Sequence, residues 1–181
     1  YIGGNLIGDD RRVSNFSIDS RTINENEVFI CIKGNNYDGH QFIQDSLKKA
    51  SCIVSSQDIP EINLQNKSYI KVQDTYKSLH MITEYIRQKS KAKFIAITGS
   101  NGKTTVKEML AHVLSDSQIT FTKGNLNNHI GVPLTIFSTN QNDDYVIVEI
   151  GANSLNEIRP LAKIIKPDIA AVTNIGYAHI E

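Results

Sequence analysis

The segment from Phe94 to Leu114 constrains the fold more than any other part of the chain. Phe94 to Thr98 is a short apolar run typical of a buried strand, and the residues from Lys103 onward repeat apolar side chains at helical spacing. The sequence Gly-Ser-Asn-Gly joins the two. A strand that passes through a glycine-rich turn directly into a helix is a setting in which proteins bind phosphate groups. The segment therefore predicts a phosphate-binding α/β unit.

This turn and its neighbours form the predicted nucleotide site. Its residues are Thr98, Gly99, Ser100, Asn101, Gly102, Lys103, Thr104 and Thr105. Glycine lets backbone N–H groups approach phosphate oxygens, a lysine in this position reaches the terminal phosphates, and the hydroxyl after it ligates Mg²⁺. ATP and Mg²⁺ are thus the predicted cofactors. The usual phosphate loop has glycine where this chain has Ile97. A glycine-rich turn that merely caps the helix is the alternative.

Two further residues are predicted to reach the same edge of the sheet. Glu149 stands near the carboxyl end of an apolar strand, and His179 follows the strand after it. Ligands of open α/β sheets bind outside the carboxyl ends of the strands, and Mg²⁺ prefers oxygen ligands. Glu149 is therefore a candidate magnesium ligand, with a strand-end glutamate that faces solvent or pairs with a lysine as the alternative. A lone histidine is more often structural, so its position alone does not assign His179 a role.

Strand and helix patterns alternate along the chain, which predicts a doubly wound parallel sheet. Strands are expected at 28–33, 52–55, 69–72, 94–98, 119–122, 145–150 and 169–173. Helices are expected at 41–49, from Asp74 onward, at 103–114 and within 156–165. We expect the helix at 103–114 to bury one stripe, made of Val106, Met109, Leu110, Val113 and Leu114.

A lysine-rich stretch at 87–93 predicts a domain boundary. We expect a small N-terminal α/β substrate domain at 1–88, followed at 89–181 by a phosphate-loop domain with a mostly parallel sheet, incomplete at its C-terminal end. Polar loop residues of the first domain are candidates for binding a second, anionic ligand, because arginine suits phosphate and carboxylate. They are Ser20, Arg21, Lys33 and His40. The loop at 124–133, which contains Asn127 and Asn128, is either functional or an asparagine-rich turn.

Composition limits the partners. Nineteen basic residues balance nineteen acidic residues, so no net field attracts nucleic acid or an anionic membrane surface. Two cysteines among apolar neighbours are typical of buried free thiols, and no apolar run is long enough to span a bilayer. We expect a cytoplasmic, monomeric protein without membrane insertion. The chain begins with Tyr1 and stops after a strand exit, so both ends look cut.

Several motifs together resemble the Mur ligase family. The resemblance is carried by Ile18-Asp19-Ser20-Arg21, Val28-Phe29-Ile30 with Lys33-Gly34, Asp38-Gly39-His40, Ile97 to Thr105, Gly124 to Pro133, Glu149 to Asn153 and Ala178 to Glu181. A short phosphate loop without glycine at position 97 is the form shared by Mur ligases and folylpolyglutamate synthetases. The departure from the usual loop is thereby accounted for.

The resemblance implies an ADP-forming peptide ligase of peptidoglycan precursor synthesis that works through an acyl phosphate. It implies that Ser20, Arg21, Lys33 and His40 bind the UDP part of the substrate. It further implies that Lys103 and Thr104 serve ATP and Mg²⁺, and that Glu149 and His179 are magnesium ligands. The forms of the motifs at 124–133 and 149–153 favour the family member that joins D-Ala-D-Ala to UDP-MurNAc-tripeptide. Its third peptide residue, lysine or diaminopimelate, stays open.

Three alternatives remain at this point. A related Mur ligase adds the third peptide residue and shares the Asp-Ser-Arg and Asp-Gly-His elements. A folylpolyglutamate synthetase shares the phosphate loop but should lack those elements. A nucleotide-binding module without ligase activity is the third. The carbamylated lysine and C-terminal domain of family members are not found in this stretch, so we expect the isolated stretch to be inactive.

Overall fold

The computed structural model describes residues 1–34, 36–59, 67–152 and 156–176. The chain forms two compact units, Tyr1–Ile82 and Thr83–Glu181. The predicted domain limits of 1–88 and 89–181 stay a prediction; the compact units separate a few residues earlier. None of the helices in the described ranges is long and apolar enough to cross a bilayer.

The first unit contains a five-stranded sheet. Its elements are β1 (Asn5–Ile7), β2 (Asn15–Ser17), β3 (Glu27–Ile30), a 3-10 turn (Gly39–Phe42), α1 (Ile43–Leu47), β4 (Cys52–Ser55) and β5 (Ser68–Lys71), and the helix α2 (Thr75–Lys89) begins here. The strand order is β1-β5-β4-β3-β2, with β1 antiparallel to β5 and the other pairs parallel. Four parallel strands, β2, β3, β4 and β5, therefore end at the same edge of this sheet.

Helix α2 starts as its sequence predicts. The Asp74 carboxylate accepts a hydrogen bond from the N–H of Lys77, which is the contact of an N-capping residue. Leu79 and Ile82 are buried, and Ile86 packs against the core of the second unit. Helical spacing places Leu79, Ile82 and Ile86 on one face, and this is the face that packs.

The second unit is the predicted doubly wound domain. Its elements are β6 (Lys93–Thr98), α3 (Lys103–Val113), β7 (Ile119–Phe121), α4 (Gly131–Phe137), β8 (Tyr145–Glu149), α5 (Ile158–Ile165) and β9 (Ile169–Val172). The strand order is β7-β8-β6-β9 and every pair is parallel. Apolar residues cover both faces of the sheet. Residues of α4 and α5 join one core and residues of α3 join the other.

One predicted helix face is only partly right. Leu110 and Leu114 of α3 pack against the core as expected, whereas Val106, Met109 and Val113 are exposed. The residues of α3 that are most deeply buried are Lys107 and Ala111. The orientation of the helix follows from its first turn, because the Thr104 hydroxyl is hydrogen-bonded to Glu149 on β8. Residues 104, 107 and 111 share one face at helical spacing, so fixing Thr104 turns Lys107 and Ala111 inward.

Candidate functional site

The turn between β6 and α3 has the backbone that a phosphate loop requires. Gly99 has φ 138° and Gly102 has φ 79°, conformations that side-chain-bearing residues rarely adopt. A methyl group at Gly99 would also collide with the side chain of Thr173. The first α-helical bond runs from the N–H of Val106 to the carbonyl of Gly102, so the N–H groups of residues 103–105 have no partner within the helix. These donors and the helix dipole can receive an anion.

Lys103 lies over this turn. Its Nζ donates to the carbonyl of Gly99 at 2.7 Å and to that of Ser100 at 3.3 Å. The ammonium thereby brings a positive charge to the start of α3 on a partly buried side chain. Such a charge can neutralise a phosphate that docks on the same N–H groups.

Glu149 and Thr104 come together as the sequence predicts for a magnesium site. The Thr104 hydroxyl donates to Oε2 of Glu149 at 2.9 Å. The Asn127 amide donates to Oε1 at 2.8 Å, so both carboxylate oxygens are engaged. Glu149 is 2% exposed, which excludes the alternative of a glutamate facing solvent.

The surroundings of Glu149 fit a bound cation. Among the described residues no ion pair reaches this carboxylate, and its two donors are neutral. Burial of a charge is costly unless the charge is paired. The carboxylate and the Thr104 hydroxyl are hard oxygen donors, the type that Mg²⁺ prefers, and Mg²⁺ is commonly held by one or two carboxylates together with phosphates. The candidate ligand His179 lies outside the described residues.

The asparagine-rich loop after β7 supports this carboxylate. Besides the amide bond from Asn127 to Glu149, the carbonyl of Asn127 accepts from the N–H of Gly151 at 2.8 Å. Oδ1 of Asn128 accepts from the N–H groups of Ile130 and Gly131, where α4 begins. The loop is thus fixed beside Glu149 at the carboxyl edge of the sheet, and the helix α4, which the sequence did not predict, starts directly after it.

The exit of β9 contacts the phosphate loop, which the sequence did not predict. Asn174 accepts from the N–H of Ser100 with its backbone carbonyl and from the N–H of Asn101 with its Oδ1. Ser100 and Gly176 exchange two hydrogen bonds, one in each direction. Thr98 is bonded through its hydroxyl to the carbonyl of Ile150. A polar residue after a third parallel strand is the signal that points to Asn174.

The predicted anion-binding residues of the first unit follow parallel strands. Ser20 and Arg21 come after β2, and Lys33 comes after β3. The guanidinium of Arg21 donates to both oxygens of Asp19, at 2.9 and 2.7 Å, and its side chain is 86% exposed. These hydrogen bonds lower the pKa of Asp19 although burial raises it. The ion pair therefore orients an exposed guanidinium at the carboxyl edge of the first sheet.

His40, by contrast, is turned inward. Its ring is 5% exposed and lies between Asp38, at 2.6 Å from Nδ1, and Ser56, whose N–H donates to Nε2 at 3.3 Å. Because a backbone N–H can only donate, Nε2 must be the acceptor, and the proton is on Nδ1. Burial raises the pKa of Asp38, but the hydrogen bonds from His40 and the electrostatic attraction of His40 and Lys33 together lower it. The ring connects the turn after β3 to the residue after β4.

Comparison with protein families agrees with the geometry. The model of the Mur ligase family catalytic domain matches residues 12–87, and that of the Mur ligase middle domain matches residues 97–181. Together the two models include the candidate anion-binding residues of the first unit and the whole phosphate loop, Thr98 to Thr105.

Individual relatives extend this similarity. The chain is 37% identical to a UDP-N-acetylmuramoyl-tripeptide--D-alanyl-D-alanine ligase from Haemophilus influenzae, over 97% of this chain and 39% of that protein. A MurF crystal structure from Acinetobacter baumannii matches with a TM-score of 0.89 and 31% identity, over 99% of this chain and 40% of the other. A MurF structure from Thermotoga maritima, solved in complex with ADP, matches with a TM-score of 0.81 and 30% identity, over 92% and 39%. The chain thus spans well under half the length of these relatives. It belongs to the Mur ligase family.

Proposed function

We propose that the protein is an ATP-dependent, ADP-forming ligase that joins D-Ala-D-Ala to UDP-MurNAc-tripeptide. The observation that carries the proposal is the contact of Thr104, in the first turn of α3, with the buried carboxylate of Glu149. This contact joins the phosphate loop to a pair of oxygen ligands suited to Mg²⁺. The chain is also similar to D-Ala-D-Ala-adding ligases. The ADP bound to the Thermotoga maritima relative supports the choice of nucleotide.

In this proposal the phosphates of ATP bind at the N-terminus of α3. The N–H groups of residues 103–105 receive the phosphates, and Lys103 moves from the carbonyls of Gly99 and Ser100 onto the terminal phosphates. Thr104 and Glu149 would hold Mg²⁺, together with His179. When bound, the ion offsets the negative charge that the phosphates and the attacking carboxylate bring together.

The reaction has two steps. The free carboxylate of the tripeptide attacks the γ-phosphorus of ATP, the bond to the bridging oxygen breaks, and ADP leaves. The amine of D-Ala-D-Ala then attacks the acyl carbon, phosphate departs, the amine gives up a proton, and an amide is formed. The task of the protein is mostly positioning and charge neutralisation, which Lys103 and the ligand pair would supply. Asn127 would keep Glu149 oriented throughout.

The first unit would bind the UDP part of the substrate at the carboxyl edge of its sheet. Arg21, prepaired with Asp19, suits bidentate contact with a diphosphate. Ser20 and Lys33 follow β2 and β3 at the same edge. In this arrangement His40 orders the turn from inside rather than touching the ligand. Asn128 uses its carbonyl within the loop, so its amide NH₂ is the group that would face a substrate.

An acceptor comparison in the complete protein tests the proposal. ADP formation should require UDP-MurNAc-tripeptide and D-Ala-D-Ala together, and it should be absent with folate plus glutamate and without any acceptor. Activity with only the folate pair would reject the assignment. Activity with a single amino acid and the UDP-dipeptide would instead indicate the ligase that adds the third residue.

The 181-residue chain alone is expected to bind ligands weakly and not to turn over, because it spans well under half the length of the relatives it matches. We would measure ADP release from this chain with both peptide substrates. Release that depends on both substrates would contradict this expectation.

A further inference from the structure

Lys107 is the second lysine of α3, and it lies inside the protein. Its side chain is 1% exposed, which is rare for lysine because the ammonium loses its hydration. Nζ donates to the backbone carbonyl of Thr122 at 2.8 Å and pairs with Glu108 at 2.7 Å. The ring of Phe121 lies 5.6 Å away. The nucleotide chemistry described above makes no use of this buried cation.

The contact with Thr122 leads back to the candidate metal site. Thr122 directly follows β7, and its hydroxyl accepts a hydrogen bond from the N–H of Glu149 at 2.9 Å. Thr122 is fully buried, and so is Thr135 of α4, whose hydroxyl lies 3.5 Å from that of Thr122. Lys107 is therefore hydrogen-bonded to Thr122, and Thr122 in turn is hydrogen-bonded to the backbone of Glu149.

Helix α3 thus holds Glu149 at two points. Thr104 contacts the carboxylate directly, and Lys107, one turn later, reaches the backbone of Glu149 through Thr122. We propose that Lys107 is a positioning residue for the metal and nucleotide site: it sets the register between α3, the end of β7 and the carboxylate of Glu149. This inference rests on the proposed function, since it assigns Lys107 a task for the same Mg²⁺ and ATP.

A lysine suits this position for a physical reason. A carbonyl at a strand end needs a hydrogen-bond donor when it is buried. The ammonium of a long lysine side chain on the helix that packs on the sheet can reach it. A methionine of similar length would fill the space but would leave the Thr122 carbonyl without this donor. Removal of a residue that orients a metal ligand without contacting the metal typically weakens metal affinity about 10- to 100-fold.

The test is the Mg²⁺ dependence of ATP binding in the complete protein, measured by calorimetric titration. In Lys107→Met, the Mg²⁺ concentration for half-maximal ATP binding should rise about tenfold or more. ATP affinity in excess EDTA should be unchanged, because the loop and Lys103 are intact. The matched control is Lys123→Met, which removes an exposed lysine beside the same Phe121 ring and should behave as the wild type.

A second variant interrupts the same hydrogen-bonded path, from Lys107 through Thr122 to Glu149, at Thr122. Thr122→Val keeps the carbonyl for Lys107 but removes the hydroxyl that accepts from the N–H of Glu149, so it should raise the Mg²⁺ requirement in the same way. The double variant should be no worse than the more affected single variant, because both changes break one path. If Lys107→Met does not fold, Thr122→Val alone tests the positioning role.

The outcomes are distinct. Unchanged Mg²⁺ dependence in folded Lys107→Met or in Thr122→Val overturns the positioning role while the proposed function stands. The positioning role is also overturned if the increase in Mg²⁺ requirement of the double variant is the product of the two single increases. It is overturned as well if Lys123→Met raises the Mg²⁺ requirement as much as Lys107→Met does. If the wild-type protein binds no ATP in Mg²⁺, the proposed function itself fails, and the role of Lys107 fails with it.

Discussion

At the scale of single residues, Glu149 combines deep burial with neutral neighbours. Its carboxylate is 2% exposed and receives hydrogen bonds from Thr104 and Asn127. Neutral donors offset only part of the cost of burying a charge, so a cation at this position would remove most of what remains. The same geometry explains why a glutamate interrupts an otherwise apolar strand.

Glu149→Gln tests that interpretation directly. The variant keeps the size of the side chain but removes the charge, so we expect the proposed ligase activity of the complete protein to fall about 100-fold or more, as when other charge-stabilising groups are removed. Steady-state ADP formation over a range of Mg²⁺ concentrations is the measurement. Asp144→Asn, which changes an exposed carboxylate at the opposite end of β8, should retain activity. Full activity of Glu149→Gln would contradict a role in metal binding.

Asp168 provides a pH-dependent prediction. The N–H of Phe94 lowers the pKa of this carboxyl; burial opposes that effect, and Arg87 and Lys93 add to it. A lowered pKa in the folded state means that the carboxylate stabilises the fold above the unfolded pKa, and that this contribution is lost as pH falls through the folded pKa. We therefore expect the stability difference between wild type and Asp168→Asn to be largest at neutral pH and to shrink below about pH 4.

Chemical denaturation at several pH values would measure this difference. Asp116→Asn serves as a control for removing one negative charge at an exposed position. A difference that stays constant from neutral pH to about pH 2 would show that the loss comes from packing or hydrogen-bond geometry rather than from ionisation.

At the scale of elements, patterns in the sequence predicted the type of nearly every long segment. The buried strand β6 and the amphipathic α2 followed from apolar runs and helical spacing. The short β1 and β2 did not, because three residues at a sheet edge leave no alternation to detect. Helix α4 was missed because Gly131 and Pro133 read as loop residues, although proline is acceptable in a first turn.

Helix α3 shows why a correctly predicted element can have a buried face that is only partly predicted. Of its apolar stripe, Leu110 and Leu114 pack against the core, but Val106, Met109 and Val113 are exposed. Chemistry at the first turn, not hydrophobicity, sets the rotation of the helix, because Thr104 must meet Glu149. A buried lysine at position 107 cannot be recognised from spacing alone, since its partner is a backbone carbonyl distant in sequence.

Helix α5 supplies an element-scale prediction. Lys166, its C-terminal cap, has φ 44°, a left-handed conformation that costs a non-glycine residue about 1 kcal/mol or more. Lys166→Gly relieves that cost but loses an exposed ion pair with Glu84, which is generally worth at most about 1 kcal/mol. We expect a net gain in the free energy of unfolding, of a few tenths to about 1 kcal/mol.

The matched control lies one turn earlier. Lys163→Gly places the same residue type inside α5, where glycine should destabilise the protein by about 1 kcal/mol. Denaturant unfolding of both variants would show opposite signs. A loss of stability in Lys166→Gly as large as that in Lys163→Gly would mean that the ion pair with Glu84 outweighs the backbone term.

At the scale of the whole molecule, the chain divides its candidate chemistry between two units. The phosphate loop and Glu149 belong to the second unit, and the residues proposed to bind the UDP part belong to the first. The sequence predicted a division from the lysine-rich stretch at 87–93, and the compact units separate a few residues before it. Neither the connection of Asn174 to the phosphate loop nor the inward rotation of His40 could be predicted, since both depend on side chains far apart in sequence.

The division predicts that the two binding functions can be lost separately. In the complete protein, Lys103→Ala should abolish measurable ATP binding, because it removes the cation proposed to contact the terminal phosphates, but it should leave affinity for UDP-MurNAc-tripeptide unchanged. Arg21→Ala should do the reverse and weaken that substrate about tenfold or more, since one bidentate contact with a phosphate is lost. Arg12→Ala, which changes an exposed arginine of the same unit, is the matched control for the second variant.

Calorimetric titration of Lys103→Ala and Arg21→Ala with ATP and with UDP-MurNAc-tripeptide gives the four affinities that test this prediction. Unchanged ATP affinity in Lys103→Ala would remove the lysine from the nucleotide site. Unchanged substrate affinity in Arg21→Ala would move the UDP site away from the end of β2, while the nucleotide assignment would stand. If both variants weakened both ligands equally, each change would be acting through the fold, because two sites on separate units should respond independently to substitutions that do not unfold either unit.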